Sequence, residues 1–518
     1  MSKTGSGLRG ALCVGGLAVA LLLLSPTASS AQDPKRGGTI VYAVSAGPRS
    51  LDPQLSTSTI DIELASELYE TLVALGEDFT PRPSLASRID VSPDARWYTF
   101  TLRHGVRFHN GKIMTSADVL ASFKRYQRVS PNAEALSNVE AYETPAPDIF
   151  IVQMKDPAPV FLDVMMSPGF PVAIMPAEEA EKTGEMAIIG TGPFQLAEWR
   201  RDDHILLRRF DDYSINEAAS GIDGYAGKKI VYVDAVRYNI LPEPNARIAA
   251  LQAGGADVTS QVPLSLSKRI DGRNGFALQT IFPGCMQAFF LNTQIAPTNN
   301  ILVRQAIQAA MGVDDILDAV GQVSKRNPQL SYPGSKFYAP GNPDFHYDMN
   351  NPAGAKSLLQ QAGYHGEPIV LQVTPSYSWQ MNAALVLAEQ LKAVGITIAL
   401  KTVDIVTANT NRQRGIGGWN VDSALYCSQP LLGPPQWRQY LTVYPQMKDA
   451  ALNEMYQRYL NSLSGADRAQ AWTDVQHRLF DQAYWIKLGD FANINGYRTQ
   501  LHGLVGWYNL RFWGVWKE

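Results

Sequence analysis

The alternation of helical and strand patterns between residues 351 and 404 constrains the fold more than any other part of the sequence. Asn351 can cap a helix, Pro352 suits its first position and Gly363 suits its end. A strand pattern, PIVLQVT, follows; then come a helical pattern over Trp379–Val394, its stop at Gly395, and the strand pattern ITIALKTVD. A strand, a helix and a second strand in this order form a crossover unit, which predicts an α/β lobe here.

Three further patterns lie between residues 37 and 112. GGTIVYAV is rich in β-forming residues and predicts a strand. After it, Leu64, Leu68 and Leu72 stand at helical spacing, with Ser58 and Thr59 available as caps. The stretch WYTFTLRHGVRFHNGK alternates and then offers an Asn-Gly turn, so we expect a β-hairpin that turns at HNGK.

The N-terminus has the order of regions that is typical of a secretory signal. Lys3 and Arg9 precede an apolar run over Ala11–Leu24, and small residues follow it. We expect residues 1–31 to be the signal peptide, cleaved after Ala31, and the mature protein to be periplasmic. A membrane anchor is the alternative, but the run is shorter than the roughly 20 apolar residues that span a bilayer.

Composition separates the mature chain from two classes of protein. The 518 residues are 45% hydrophobic, which is enough for two or more cores. Removal of residues 1–31 takes away two basic residues, so 43 basic residues stand against 48 acidic ones, a net charge of −5. This balance, without a basic run, argues against nucleic acid or an anionic membrane as a partner.

A search for catalytic signatures gives no support for an enzyme. The sequence contains no GxSxG elbow, no HExxH motif and no GxxxxGK[ST] loop. The seven histidines are scattered, and the closest pair, His104 and His109, has no cysteine nearby. We therefore expect neither a catalytic centre nor a bound metal or cofactor.

Several blocks, in order along nearly the whole mature chain, resemble one family. They are KRGGTIVYAVSAGPRSLDPQ, ELYETLVAL, the long stretch from PRPSLASRIDV to TSADVLASFKR, GTGPFQLAEWRRDDHILLRRFDDY, ARIAALQAGGADV, VRQAIQAAMGVDDIL and AKSLLQQAGY. The chain is similar in these blocks to the extracytoplasmic solute-binding proteins of peptide and nickel ABC transporters, solute-binding family 5. Each block alone is weak, and their combination in order is specific.

The resemblance implies an α/β periplasmic binding protein fold with two lobes joined by a hinge, the larger lobe carrying an extra inserted subdomain. Residues 32–68, 190–282 and 489–518 would form the first subdomain of lobe I. Residues 69–189 would be the insertion, and residues 283–488 would be lobe II. The crossover unit predicted from its own periodicity falls inside that second lobe.

The function implied is the capture of a solute between the lobes and its delivery to the permease of an inner-membrane ABC transporter. The solute would be peptide-like or another polar organic compound, since the family accepts peptides, metal chelates, sugars and opine-like compounds. The protein would act as a monomer. Two alternatives remain: a secreted hydrolase on a similar scaffold, and a ligand-sensing accessory protein that binds a receptor.

The resemblance also implies a disulfide between Cys285 and Cys427, in PGCMQAFFLN and LYCSQP. In oligopeptide-binding members an aspartate two residues after the second cysteine meets the charged amine of the peptide. Gln429 stands at that position here, and an amide carries no opposing charge. Ser428 lies in the same loop, and Tyr426 would replace an aromatic residue that lines the pocket.

Other candidate ligand-binding residues come from the same resemblance. The loop of Ser56, Thr57 and Ser58 would face the cleft, although it equally suits a helix cap. Trp419 could form a platform for the ligand, but a core position fits it better, and Tyr426 also fits a core.

Overall fold

The computed structural model of the protein describes residues 33–55, 58–169, 171–339, 344–375, 378–427 and 433–518. The strands in these ranges are β1 Thr39–Val44, β2 Val73–Leu75, β3 Pro81–Pro83, β4 Ala86–Val91, β5 Trp97–Leu102, β6 Val139–Ala146, β7 Ile149–Met154, β8 Phe194–Arg200, β9 His204–Arg209, β10 Ile222–Asp223, β11 Ala226–Gly227, β12 Ala235–Ile240, β13 Val258–Thr259, β14 Phe276–Leu291, β15 Ser324–Lys325, β16 Ile369–Val373, β17 Ile398–Thr402, β18 Val421–Tyr426, β19 Trp485–Arg498, β20 Leu501–His502 and β21 Trp516–Lys517.

The α-helices in the same ranges are α1 Thr59–Leu68, α2 Ser116–Val129, α3 Phe161–Met165, α4 Ala177–Ala180, α5 Pro244–Ala253, α6 Leu264–Ser267, α7 Ile301–Ala310, α8 Val313–Val320, α9 Pro352–Gln361, α10 Ser378–Ala393, α11 Ile405–Arg414, α12 Ala450–Asn461 and α13 Gly465–Asp481. Short 3-10 turns lie at Ala133–Leu136, Pro434–Trp437 and Pro445–Met447, and a π-helical turn lies at Gln439–Val443. Within the described residues, we find no helix with the length and apolar character needed to span a membrane.

One large mixed sheet runs through the molecule, in the order β17, β16, β18, β14, β19, β13, β1, β12, β9, β8, with β15 beside β19. Its two central strands, β14 and β19, are 16 and 14 residues long and pair antiparallel along most of their length. Strands of this length exceed the usual span of five or six residues. The two strands therefore connect the two halves of the sheet.

The crossover unit predicted from the sequence is confirmed. Strands β16 and β17 pair parallel, with Ile369 opposite Ile398, and α10 connects them. The preceding helix α9 begins as expected, because the Asn351 side chain accepts a hydrogen bond from the Gly354 N–H at 2.9 Å. Gly363 just after α9 has a φ of +67°, the left-handed conformation that suits glycine at a helix end.

The hairpin predicted at HNGK is wrong. Strand β5 pairs with the preceding strand β4 and with β7 in the four-stranded sheet β4-β5-β7-β6. The Asn110-Gly111 turn closes only a small loop, with one bridge between Arg107 and Ile113. Five residues separate β4 from β5, and a tight turn around Ala95 brings the two strands together. Strand β4 therefore occupies an edge of β5 with which the HNGK segment would have to pair.

The buried apolar residues form separate cores, and the boundary between these cores crosses each of the two long strands, β14 and β19, once. Apart from Val160, the clustered residues up to Ile281 and from Ile494 onward lie in two cores, and those from Met286 to Phe491 lie in two others. We use lobe I for residues 35–282 and 489–518, and lobe II for residues 283–488; apart from residues 32–34, this is the division proposed from the sequence.

The β14–β19 ladder is interrupted at the proposed hinge. Its register shifts between Ile281 and Cys285. Gly284 lies in this interruption, and a Cβ atom there would come within 2.7 Å of the backbone nitrogen of Asn493. Only glycine permits so close an approach between the two strands.

Helix α1 carries an unusual pair of buried acids in lobe I. Glu63 and Glu67 lie one turn apart on its buried face and are 6% and 0% exposed. Glu67 Oε1 accepts a hydrogen bond of 2.8 Å from the Phe512 N–H, which attaches the C-terminal segment to this helix. Burial raises the pKa of Glu67 to about 8, against the hydrogen bond and the nearby cations of Lys229 and Arg511.

We expect this carboxyl group to make the stability of the fold depend on pH. Because its folded pKa of about 8 lies above its ordinary value of 4.5, it stabilises the fold fully below 4.5, and this contribution is lost as the pH rises to 8. Glu67→Gln keeps the oxygen that Phe512 needs and removes the titration. In urea unfolding at about pH 6 and about pH 8.5, the variant should lose less stability than the natural protein.

The exposed Glu389, whose side chain is 73% accessible, provides the control through Glu389→Gln. This control should keep the pH dependence of the natural protein. An equal loss of stability with rising pH in Glu67→Gln and the natural protein would exclude Glu67 as its source.

Candidate solute-binding cleft

The two lobes contact each other through a strip of side chains around α3 and the 3-10 turn Pro434–Trp437. Val160 of lobe I packs into the lobe II core, and helix α3, which follows it, lies against the 3-10 turn Pro434–Trp437. A Cβ atom placed on Gly169 would lie 3.7 Å from Gln436 Oε1 of lobe II. Ion pairs join Asp163 to Lys336 and Glu134 to Arg438 across the same boundary. The two lobes are therefore in contact in this structure.

A half-open cavity of about 50 Å³ lies in lobe I beside this strip. Its walls combine apolar side chains of α1 and β2 with small polar groups; they include Ile62, Ala65, Ser66, Ala74, Leu75 and Ser84. Met166, Ser167 and Pro168 lie on the side that leads to Gly169 and lobe II. A cavity of this size has room for a few water molecules or for one small polar group of a ligand.

The charged side chains of this cavity balance each other. Lys229 Nζ lies 3.1 Å from Glu70 Oε1, and both side chains are 3% exposed or less. The Tyr213 hydroxyl donates to the same carboxylate oxygen at 2.9 Å, and Lys229 Nζ lies 4.9 Å from the ring centre of Trp513. Glu70 Oε2 is buried and has no hydrogen-bond partner. A ligand group that reaches it can donate a hydrogen bond to a carboxylate already paired with a cation.

The lobe II side of the boundary is an aromatic cluster of Tyr426, Trp437, Tyr440 and Trp485. Tyr426 stacks on Trp485 with ring centres 5.1 Å apart and meets Tyr440 edge-on at 4.8 Å. The Tyr426 hydroxyl and the indole N–H groups of Trp437 and Trp485 are buried without hydrogen-bond partners. Burial raises the pKa of Tyr426 well above its usual range, so the hydroxyl keeps its proton. The cluster therefore holds three hydrogen-bond donors that are not used within the protein.

A buried ion pair supports the aromatic cluster from within lobe II. Arg412 Nε lies 2.5 Å from Asp422 Oδ2, and Gln372 Nε2 donates to Asp422 Oδ1 at 2.9 Å. The Asp422 carboxylate raises the pKa of Arg412 against the effect of burial. Asp422 is the acid nearest in sequence to Gln429, and both its oxygens are used here. It therefore lacks a free oxygen for the amine of a ligand.

The other candidate ligand-binding residues are a buried tryptophan, a helix cap and four residues that lie outside the described ranges. Trp419 is completely buried in lobe II, 6.0 Å from the ring of Phe290, so the structure assigns it a packing role rather than that of a platform. Ser58 caps helix α1 through a hydrogen bond from the Asp61 N–H. Ser56, Thr57, Ser428 and Gln429 lie outside the described residues, and their contact with a ligand stays a prediction.

The histidine pair takes part in the fold of lobe I. His109 accepts a hydrogen bond from the Gly190 N–H at 3.2 Å, and its other ring nitrogen lies 3.1 Å from Gly192 O. Burial lowers the pKa of His109 to about 4, so the ring is neutral near pH 7. It connects the segment after β5 to the segment just before β8. His104 is exposed and lies beside Asp148.

Comparison with known proteins places the chain in a family. Residues 80–425 match the family model of bacterial extracellular solute-binding proteins, family 5 Middle. The chain belongs to this family. Its members are extracytoplasmic binding proteins that supply ABC transporters.

Individual relatives cover most of this solute-binding protein. It is 27% identical over 429 residues to a probable peptide ABC transporter periplasmic-binding protein y4tO of Sinorhizobium fredii, covering 78% of this chain and 79% of that protein. It is 23% identical over 496 residues to the glutathione-binding protein GsiB of Escherichia coli K12, covering 91% of each. The crystal structure of NikA from Brucella suis in complex with Fe(III)-EDTA has a TM-score of 0.80 and 20% identity, covering 93% of this chain and all of that one. This last likeness shows the two-lobed fold.

Cys285 and Cys427 of this solute-binding protein are joined in a disulfide in the structure. Cys285 follows the interruption in β14, and Cys427 follows the last residue of β18. The neighbouring pair Met286 and Tyr426 is the last one of the β14–β18 ladder. The bond therefore attaches the end of β18 to the hinge strand β14.

Sequence reasoning missed both the charged pair in the lobe I cavity and the charged pairs that join the two lobes. Lys229 and Glu70 are 159 positions apart, and Lys336 and Asp163 are 173 apart. Each of these residues is a single charge in its segment, and the local sequence pattern fits a solvent-exposed side chain equally well. Only a record of how such residues vary together could have pointed to these pairs.

We expect the disulfide in protein isolated from the periplasm, because that compartment is oxidising. Peptide mapping without reductant should recover one cross-linked peptide that contains Cys285 and Cys427. The bond closes a chain separation of 142 residues, and chain entropy then predicts a loss of at most about 4 to 5 kcal/mol of folding stability on reduction. Free thiols at both positions in unreduced protein would show that the bond does not form.

Proposed function

We propose that this solute-binding protein captures a peptide-like or other polar organic solute between lobe I and lobe II in the periplasm. It then delivers the solute to the permease of an inner-membrane ABC transporter. The observation that carries the proposal is the boundary between the lobes, where the half-open cavity of lobe I is lined by Met166, Ser167 and Pro168, next to Gly169, which approaches Gln436 of lobe II. A solute held there is enclosed when the lobes close.

The polar character of the solute is supported by the groups near this boundary. The donors of Tyr426, Trp437 and Trp485 and the unpaired Glu70 oxygen need partners, and leaving such groups unpaired costs roughly 1 to 3 kcal/mol each. The relatives are named for a peptide, for glutathione and for a metal chelate, and all three are rich in hydrogen-bonding groups. We infer that the solute of this chain has the same general character.

The remaining parts of the proposal rest on the amino-acid sequence. The protein is exported with a signal peptide cleaved after Ala31, acts as a monomer, and binds no nucleic acid, in keeping with its mild net negative charge. Its work is binding rather than bond-making. A hydrolase on this scaffold is the alternative, and recovery of the bound solute unchanged after long incubation distinguishes the two.

We expect the solute to make the protein more compact. Protein purified from its own host should carry the solute, and native mass spectrometry should detect the added mass. Because closure rotates one lobe about the β14–β19 hinge, the radius of gyration from small-angle scattering should fall when solute is returned to stripped protein. The same radius with and without saturating solute would argue against a closing clamp.

A second prediction concerns Gln429, whose role rests on the resemblance of LYCSQP to the peptide binders. Ligands with a neutral polar group should be preferred over those with a free amine, because a hydrogen bond to a charged group contributes about 1.5 to 3 kcal/mol and a neutral one about 1. Gln429→Asp should therefore strengthen the binding of free-amine peptides several-fold to about a hundredfold. Calorimetry on short peptides and their N-acetylated forms measures this.

Asp422 is the other acid that could meet the amine of a peptide in place of residue 429. It is the nearest acid, but its carboxylate is bound to Arg412 and Gln372. Tight binding of free-amine peptides by the natural protein, abolished by acetylation, would contradict the role given to Gln429.

A further inference from the structure

In both ion pairs across the lobe boundary, lobe I supplies the acid and lobe II supplies the base. Asp163 and Glu134 are acids of the insertion in lobe I, and their partners Lys336 and Arg438 are bases of lobe II. Both pairs lie on the strip where the lobes touch, next to α3 and the turn Pro434–Trp437. A rotation that separates the lobes must break both pairs.

Asp163 is held in position before it meets Lys336. It lies on the short helix α3 with its side chain only 13% exposed. The Tyr98 hydroxyl donates to Ala158 O at 2.5 Å, and the Tyr98 ring lies 4.8 Å from that of Phe161 on the same helix. A fixed carboxylate loses little conformational freedom when it forms the pair, so more of the attraction remains as net stabilisation.

The surroundings of Asp163 also favour a cation. Its negative charge contributes to the raised pKa of Tyr98 and of Tyr459 in lobe II, which shows that it lies near both rings. These aromatic neighbours limit the access of water to the carboxylate. Lys336 neutralises this charge only while the lobes are together.

We propose that Asp163–Lys336 and Glu134–Arg438 form an electrostatic latch that holds the lobes closed before solute arrives and so sets how much of the protein is open to receive it. The inference rests on the proposed function, since only a protein that opens and closes on a solute needs such a balance. None of the four latch residues lines the cavity of lobe I described above. The latch therefore controls the fraction of protein that can take up a solute, and the choice of solute is left to other residues.

The latch should weaken with salt. Exposed ion pairs contribute little and are screened as ionic strength rises, and the Glu134–Arg438 pair is the more exposed of the two. Loss of one such pair should raise the ratio of open to closed protein about two- to fivefold. Charge reversal should raise it more, because like charges then face each other across the boundary.

Single-molecule energy transfer on solute-free protein measures this ratio directly. One dye on Lys124→Cys in lobe I and one on Glu454→Cys in lobe II, both exposed positions, report the separation of the lobes. Asp163→Lys should shift molecules to the open state, and adding Lys336→Asp should bring them back. Higher salt should open the natural protein and leave Asp163→Lys little changed.

Asp467→Lys is the matched control, because it breaks the 2.7 Å pair with Arg458 inside lobe II. It should leave the lobe separation unchanged. An unchanged separation in Asp163→Lys, or an equal change in the control, overturns the latch. If Asp163→Lys fails to fold by circular dichroism, Asp163→Asn and Arg438→Gln replace it, and the same outcomes decide.

No solute is used in this experiment, so its failure does not affect the proposed function. Conversely, a latch that opens as expected, in a protein that carries no solute from its host, would leave the latch standing and contradict the proposed function.

Discussion

The pairing of β14 with β19 is the constraint on which the rest of the structure depends. The two strands pass from one lobe to the other side by side, and every other strand of the large sheet is added to one end or the other of this ladder. Backbone hydrogen bonds hold the strands together above and below the interruption at Ile281–Cys285. The same two strands can therefore fix each lobe firmly and still permit rotation where the ladder is broken.

Ion pairs inside the lobes are more deeply buried than the ion pairs at the boundary between the lobes. Inside the lobes, Arg412 with Asp422 and Lys229 with Glu70 are paired, which offsets the cost of removing ions from water. At the boundary, the pairs are only partly buried and can separate into water at small cost. Opening of the lobes, as we propose it, would therefore require only partly buried pairs to separate.

Local patterns predicted the crossover unit and the caps of α9 correctly, because helix and strand periodicity and the conformations of Asn351, Pro352 and Gly363 are properties of short segments. The prediction of a hairpin at HNGK was wrong because β4 and β7 occupy the two edges of β5. That pairing depends on segments outside the local pattern. Tyr426 shows the same limit, since an aromatic residue beside a cysteine suits a pocket and a core equally well until its neighbours Trp437 and Trp485 are known.

The sequence by itself determined the family, the α/β character and the two cysteines that the structure joins, because these follow from blocks of residues and from short-range conformational preference. Only the tertiary structure decided which distant charges meet, such as Asp163 with Lys336, and which aromatic side chains are enclosed. Such contacts depend on the twist of the sheet and the angle between the lobes. These are set by the packing of the whole chain, and no short segment contains them.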